Sequence, residues 1–110
     1  MTEEQLQVKC FQWHWNTFPR ERRMLWHNNN NAASLRDGAK NKARGVVAGV
    51  ADFTLVTDGG VVFIELKLPG GKKSDEQKDF TSKAVTRGAG CFTIYSFEEF
   101  KQLINKIYGS

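Results

Sequence analysis

Two apolar runs rich in β-branched residues, separated by a short turn, constrain the fold of this 110-residue chain most strongly. The runs are residues 53–56 and 61–68, and the turn between them reads Thr-Asp-Gly-Gly. An Asp-Gly pair between such runs is a strong sequence signal for a β-hairpin. The sequence therefore predicts two adjacent antiparallel strands, and the Pro-Gly-Gly at residues 69–71 ends the second one.

Three charged residues interrupt one end of this predicted hairpin. Side chains alternate along a strand, so Glu65 and Lys67 share one face, and the apolar residues around them take the other. A two-residue turn at 58–59 places Asp52 directly opposite Glu65, whereas a turn at 59–60 places Asp52 opposite Lys67. Either register brings the three residues to the same face and end, and only a longer turn or a bulge would separate them.

Opposed carboxylates on neighbouring strands destabilise a fold unless a cation lies between them. The oxygen ligands available here, the carboxylates of Asp52 and Glu65 and the carbonyl of Leu66, suit Mg²⁺ or Mn²⁺ better than Zn²⁺. Lys67 would then face an anionic substrate or the water that attacks it. In the alternative interpretation, Glu65 and Lys67 belong to a solvated strand face and Asp52 ends a loop.

Capping motifs predict three helices. Thr2 with Gln5, Ser74 with Gln77 and Ser96 with Glu99 each have the spacing in which a hydroxyl caps a helix start and a side chain three residues later reaches back. The expected helices cover residues 3–16, 74–87 and the carboxyl-terminal segment that follows residue 96. A strand is expected at 91–95, a short strand at 24–27, and a long polar loop at 28–44, with an optional helical turn around 32–35.

The order of these elements defines the predicted fold class. The helix between the strands at 61–68 and 91–95 has the length of a parallel crossover connection. We therefore expect a single α/β domain over residues 1–110, a small mixed β-sheet flanked by helices.

Positive charge is concentrated in one segment of the chain. Residues 20–44 contain seven Lys and Arg residues against two acidic ones, an excess larger than the net charge of +4 of the whole chain. Such a segment favours binding to nucleic-acid phosphates, which gives affinity without sequence selectivity; the alternative is a solvated loop without a partner. The predicted phosphate contacts are Arg36, Lys40, Lys42, Arg44, Lys72 and Lys73.

The remaining signals bear on the cellular environment. Cys10 and Cys91 are far apart in the sequence and are expected to be reduced thiols, in keeping with a cytoplasmic protein. Neither His14 nor His27 has a zinc-ligand spacing to them. The amino terminus does not resemble a secretory signal, and the longest apolar segment is too short to span a bilayer.

Four ordered motifs together resemble the VRR-NUC family of the PD-(D/E)xK nucleases. They are Gly49-x-x-Asp52, Glu65-x-Lys67, Gly71, and Ser74-x-x-Gln77 at the start of a helix. An isolated E-x-K is a weak signal, but the ordered set at these spacings is distinctive, and the resemblance runs over nearly the whole chain. The chain departs from the family at Ala51, where the family usually has proline.

The resemblance implies roles for particular residues. Asp52 and Glu65 would bind a divalent metal, Lys67 would position or activate water, and Gln77 would steady the site. Glu3, or alternatively Glu4, would be the carboxylate that the family carries on its first helix.

The resemblance also implies hydrolysis of DNA phosphodiester bonds with Mg²⁺ or Mn²⁺. Short members of the family resemble Holliday junction resolvases and are thought to act as homodimers, so a four-way junction is the expected substrate and a homodimer the expected assembly. The alternatives are a nuclease of flap or restriction type, or a non-catalytic basic module that binds nucleic acid.

Overall fold

A four-stranded mixed sheet forms the centre of the computed structural model, which describes residues 1–29 and 35–109 and only the backbone of 35–37. The strand order is β1-β2-β3-β4, with antiparallel pairing of the first three strands and parallel pairing of β3 with β4. The strands are β1 Leu25–His27, β2 Phe53–Thr57, β3 Gly60–Leu66 and β4 Gly90–Ile94. The helices are α1 Glu3–Thr17, α2 Leu35–Ala43, α3 Asp75–Thr86 and α4 Phe97–Ile107, with a 3₁₀ turn at Pro19–Glu21. The predicted fold class is confirmed.

The hairpin register matches the prediction for a turn at 58–59. Thr57 pairs with Gly60 and Phe53 pairs with Ile64. Strand β3 ends at Leu66, one residue before Lys67, although the backbone N–H of Lys67 still donates to the Ile94 carbonyl of β4 at 3.0 Å. The parallel ladder therefore continues to the end of the hairpin where the charged residues lie.

Helices α1 and α4 cover one face of the sheet and form the core with it. Their buried residues Leu6, Cys10, Phe100 and Ile104 lie in one cluster with the inward side chains of β1 to β4. The His14 imidazole and the Tyr108 hydroxyl, 2.7 Å apart, connect α1 to the end of α4.

The opposite face of the sheet is covered by α3. The Phe80 ring of α3 packs edge-on against Phe63 of β3, with ring centroids 5.0 Å apart. Ser74 and Gln77 form the predicted capping box at the start of α3, because each side chain accepts a hydrogen bond from the other residue's backbone N–H. Glu65 lies on this face, two residues beyond Phe63.

The prediction of a long polar loop at 28–44 is wrong over Leu35–Ala43, because this segment forms helix α2. Sequence periodicity did not reveal this helix because the segment is rich in charge, poor in apolar residues and interrupted by Gly38. Residues 30–34, which contain most of the suggested helical turn, lie outside the part that the structure describes. In the described residues, no helix is both long and apolar enough to cross a bilayer.

Gly49 brings the segment before β2 into direct contact with the first turn of α3. Its φ is +91°, and a Cβ at this position would lie 2.5 Å from the backbone C and O atoms of Glu76. Gly45 has a similar φ of +95° but has open space around it. The two glycines therefore separate the effect of backbone conformation from the effect of close packing.

We predict that Gly49→Ala destabilises the protein more than Gly45→Ala. Left-handed backbone alone costs a residue with a Cβ roughly 1–2 kcal/mol, and this cost applies to both variants. Gly49→Ala adds a steric clash, which costs about 1–3 kcal/mol in a packed region. Urea unfolding monitored by circular dichroism measures the stability of both variants. Equal losses of stability in the two variants would contradict the contact between Gly49 and α3.

Candidate active site

Asp52 is held at the end of the hairpin by a hydrogen bond across the strands. Its carboxylate oxygen Oδ2 accepts from the backbone N–H of Leu66 at 2.7 Å. Extending the observed β2–β3 register by one residue places Asp52 opposite Glu65. The tight turn at 58–59 thus positions the first carboxylate, because the turn sets which residues of the two strands meet.

Glu65 is the more deeply buried carboxylate. The residue is 5% exposed, and its Oε2 atom has no hydrogen-bond donor among the described residues. The nearest described cation is Lys73, whose Nζ lies 3.7 Å from Oε2, beyond hydrogen-bonding distance. A buried carboxylate oxygen without a hydrogen-bond donor is costly for the fold.

The directions of the pKa shifts of Asp52 and Glu65 agree with their burial and their position at one end of the hairpin. Burial raises the pKa of Asp52, and the Leu66 N–H, His27 and Lys67 oppose this shift. Burial also raises the pKa of Glu65. The positive charges of Lys73 and Lys67 oppose this shift, and the negative charge of Asp52 adds to it. The carboxylates therefore lie close enough to repel each other, and the charge of Lys67 reaches both.

The end of strand β1 supports the backbone at Asp52. The Asp52 carbonyl accepts hydrogen bonds from the Asn28 N–H at 2.8 Å and from Nδ1 of His27 at 2.9 Å. The Asn28 side-chain amide donates to the Ala51 carbonyl at 3.1 Å and to the Thr54 hydroxyl at 2.7 Å. Sequence reasoning missed Asn28 as a positioning residue, because its role exists only once β1 pairs with β2.

For two predicted site residues, Gln77 and Glu3, the structure shows no contact with the carboxylates of Asp52 and Glu65 among the described residues. Gln77 is occupied by the capping box, where its Oε1 accepts from the Ser74 N–H at 2.8 Å. Glu3 is exposed in the first turn of α1. No three His, Cys, Asp or Glu residues within 1–29 and 35–109 come together as a metal-binding group, so Glu3 does not complete the carboxylate pair in this conformation. The roles of Glu3 and Gln77 in catalysis stay predictions.

The predicted phosphate-binding residues divide into two groups. Lys40, Lys42, Arg44 and Lys72 are exposed, as a phosphate-binding role requires. The side chain of Arg36 lies outside the part that the structure describes. Lys73 is less exposed, and its ammonium approaches Glu65 and donates to the Thr81 hydroxyl at 3.3 Å. Lys73 thus lies at the edge of the carboxylate site, and its predicted contact with phosphate stays a prediction.

A groove of about 470 Å³ lies on the same face of the sheet, two residues along β2 and β3 from the carboxylates. Thr54 and Phe63 form its floor, Trp26 and Phe80 line it with aromatic rings, and Arg44 contributes positive charge. The groove thus combines aromatic rings and one positive charge on the face of the sheet that carries Glu65.

The carboxylate site fits a hard divalent cation by its donor chemistry. Two carboxylates share one end of the hairpin, and Oε2 of Glu65 lacks a hydrogen-bond donor among the described residues. Oxygen ligands of this type are those that Mg²⁺ and Mn²⁺ prefer. The predicted contribution of the Leu66 carbonyl stays a prediction, whereas the Leu66 N–H has an observed role in orienting Asp52.

Comparison with known proteins gives one informative result. No protein-family model and no curated protein matches the sequence. Among solved structures, the chain is similar to one named VRR_NUC domain protein, with a TM-score of 0.74 and 19% sequence identity over 99% of this chain and 89% of that chain. The chain has the VRR_NUC fold. The fold part of the resemblance seen in the sequence is thereby confirmed over nearly the whole chain.

We predict that Glu65→Gln stabilises the metal-free protein at neutral pH. The pKa of Glu65 is raised above 4.5 in the folded state, so the ionised carboxylate opposes folding. This cost is fully present above the folded-state pKa and disappears as the pH falls to the unfolded-state value. The advantage of Glu65→Gln should therefore be largest at neutral pH and should vanish by about pH 4.5.

Thermal unfolding of both proteins in EDTA across this pH range tests the prediction. A stability difference that stays constant with pH would show that the substitution acts through packing and not through the charge of Glu65.

Proposed function

We propose that this chain is a metal-dependent nuclease that hydrolyses phosphodiester bonds in DNA. The supporting observation is the meeting of Asp52 and Glu65 at one hairpin end. Among the described residues, Oε2 of Glu65 has no hydrogen-bond donor, and the charge of Lys67 acts on both carboxylates. The VRR_NUC fold of the chain agrees with this function. The fold alone does not assign an activity, so the argument depends on the carboxylate site.

Each residue of the site has a definite task in this reaction. Asp52 and Glu65 would hold Mg²⁺ or Mn²⁺, and when bound such a cation polarises the phosphoryl group and lowers the pKa of water. The Leu66 N–H keeps Asp52 in the ligand orientation. The charge of Lys67 acts on both carboxylates, and its ammonium would orient the attacking water and offset negative charge that develops on phosphorus.

The reaction itself is a simple displacement. The water oxygen forms a bond to phosphorus, the bond from phosphorus to one sugar oxygen breaks, and the proton lost by water ends on the leaving oxygen or in solvent. The exposed Lys40, Lys42, Arg44 and Lys72 would bind flanking phosphates without reading sequence. The positive charge therefore supports binding without sequence preference. As the substrate we propose a branched DNA such as a four-way junction, which is the substrate that the family resemblance implies.

We predict that Asp52→Asn abolishes cleavage while DNA binding persists. The substitution removes a metal-binding charge but leaves the basic surface intact, so the rate should fall by at least about 100-fold, as expected for the loss of one group that acts on the transition state. The matched control is Asp58→Asn, which removes an exposed carboxylate from the hairpin turn.

The test is a cleavage assay with and without Mg²⁺ on four-way junctions, flaps and linear duplexes, together with a binding assay in EDTA. Preference for flaps or duplexes would favour the flap or restriction alternative. Binding without metal-dependent cleavage by the wild-type chain would favour the non-catalytic binding module.

A two-fold dimer would suit a junction, because two symmetry-related sites can cut two symmetry-related strands. We propose that the dimer forms through α1 and the edge strand β1. Val8 and Trp15 are 47% and 37% exposed and border a mostly apolar groove of about 450 Å³. An exposed apolar surface beside an unpaired strand edge is typical of an interface.

We predict that Val8→Glu shifts the protein from dimer to monomer, because it places a charge in the centre of the proposed interface. Val85→Glu is the matched control, since Val85 is also an exposed valine on a helix surface but lies on α3. Light scattering coupled to size-exclusion chromatography measures the mass of each. Dissociation caused by Val85→Glu instead would place the interface on α3.

A further inference from the structure

Lys73 has an unusual pair of contacts at the edge of the carboxylate site. Its ammonium Nζ lies 3.7 Å from Oε2 of Glu65, and it donates a hydrogen bond to the Thr81 hydroxyl of α3 at 3.3 Å. The Lys73 side chain is 28% exposed, whereas that of Glu65 is 6% exposed. The ammonium therefore sits between a buried anion and a neutral acceptor, and its hydrogen bond goes to the neutral one.

This arrangement leaves the ion pair loose. At 3.7 Å the ammonium offsets the charge of Glu65 without satisfying Oε2 by a hydrogen bond. A strongly bonded pair would hold Glu65 permanently, whereas a pair held by charge alone can be replaced by a stronger cation. The Thr81 hydroxyl, in the second turn of α3, is an acceptor on which the ammonium can stay after Glu65 changes partner.

We propose that Lys73 is an internal substitute for the divalent cation, which neutralises Glu65 in the metal-free protein and competes with the metal for this carboxylate. This inference depends on the proposed metal site but adds a residue that the proposed reaction does not use. Lys73 then sets the metal concentration at which the site fills. The Thr81 hydroxyl lowers the free-energy cost of replacing the ammonium by the metal, because it still accepts a hydrogen bond from the displaced ammonium.

The competition has a defined electrostatic origin. A positive charge close to Glu65 repels an arriving divalent ion, and it also removes much of the negative potential that attracts this ion. Lys67 cannot be separated from catalysis, because its charge acts on both carboxylates. Lys73 acts on Glu65 from the α3 side, so it can be changed without removing a ligand or the lysine of the E-x-K motif.

The experiment compares Lys73→Met with Lys72→Met. The two variants lose the same charge at neighbouring positions, but Lys72 is exposed and makes no described contact with the carboxylates. Mn²⁺ binding is measured without DNA by electron paramagnetic resonance, and thermal unfolding is measured in EDTA. Neither readout depends on cleavage activity.

We expect Lys73→Met to bind Mn²⁺ roughly 10-fold more tightly than Lys72→Met, the effect of removing one charge at close range. In EDTA, we expect Lys73→Met to unfold at a temperature lower by roughly 4–8 °C, because Glu65 loses its counter-charge. Equal or weaker Mn²⁺ binding by Lys73→Met would overturn the proposal.

A second variant tests the same mechanism in the opposite direction and disturbs the fold little. Thr81→Val keeps the shape of the side chain but removes the hydroxyl that accepts from Lys73. We expect weaker Mn²⁺ binding, because the displaced ammonium then has no acceptor on α3. Unchanged binding would overturn the part assigned to Thr81.

The two levels of failure can be told apart. If neither the wild-type chain nor Lys73→Met binds Mn²⁺, the metal site itself is wrong and both proposals fall. If the wild-type chain binds Mn²⁺ and Asp52→Asn abolishes the binding, the metal site stands, and the comparison of the two lysine variants decides the role of Lys73 alone.

Discussion

The pairing register of the β2–β3 hairpin is the constraint on which the candidate site depends. The two-residue turn at 58–59 pairs Phe53 with Ile64, and the next positions are then Asp52 and Glu65. A slip of one residue would move every side chain of one strand to the opposite face, so the carboxylates would separate and the core would open. The hydrogen bond from the Leu66 N–H to Asp52 reinforces this register at the end of the hairpin. One turn therefore positions both the core residues on one face and the carboxylates on the other.

The site is assembled at a cost to the fold. Burial disfavours ionised Asp52 and Glu65, and the two charges also repel each other. A protein selected only for stability would not bury an unsatisfied carboxylate oxygen, so the strain points to a function that uses the charge. The surrounding elements limit the damage: β1 fixes the Asp52 carbonyl through His27 and Asn28, and the segment after β3 brings Lys73 to Glu65. These neighbours hold the two carboxylates in place.

The positively charged residues differ in their surroundings. Lys40, Lys42 and Arg44, on and after α2, are exposed, and their contacts with phosphates stay predictions. Lys67 and Lys73 differ from these residues, because both offset the charge of Glu65. Net charge alone cannot distinguish these groups, since a lysine that faces a phosphate and a lysine that faces a buried carboxylate count equally. Only the exposure and the partner of each ammonium tell them apart.

The sequence by itself determined what depends on neighbours along the chain. Strand alternation, the Asp-Gly turn and the capping hydroxyls are local signals. They limited the hairpin to two registers, predicted that Asp52, Glu65 and Lys67 share a face, and predicted the start of α3 at the capping box of Ser74 and Gln77. Tertiary structure decided the rest. Helix α2 has too few apolar residues for hydrophobic periodicity to predict it. The support of Asp52 by Asn28 requires β1 to pair with β2, and these strands are separated by more than 20 residues in the sequence. The contact of Lys73 with Glu65 requires the chain to turn back onto the sheet, and no local pattern encodes such a long-range approach.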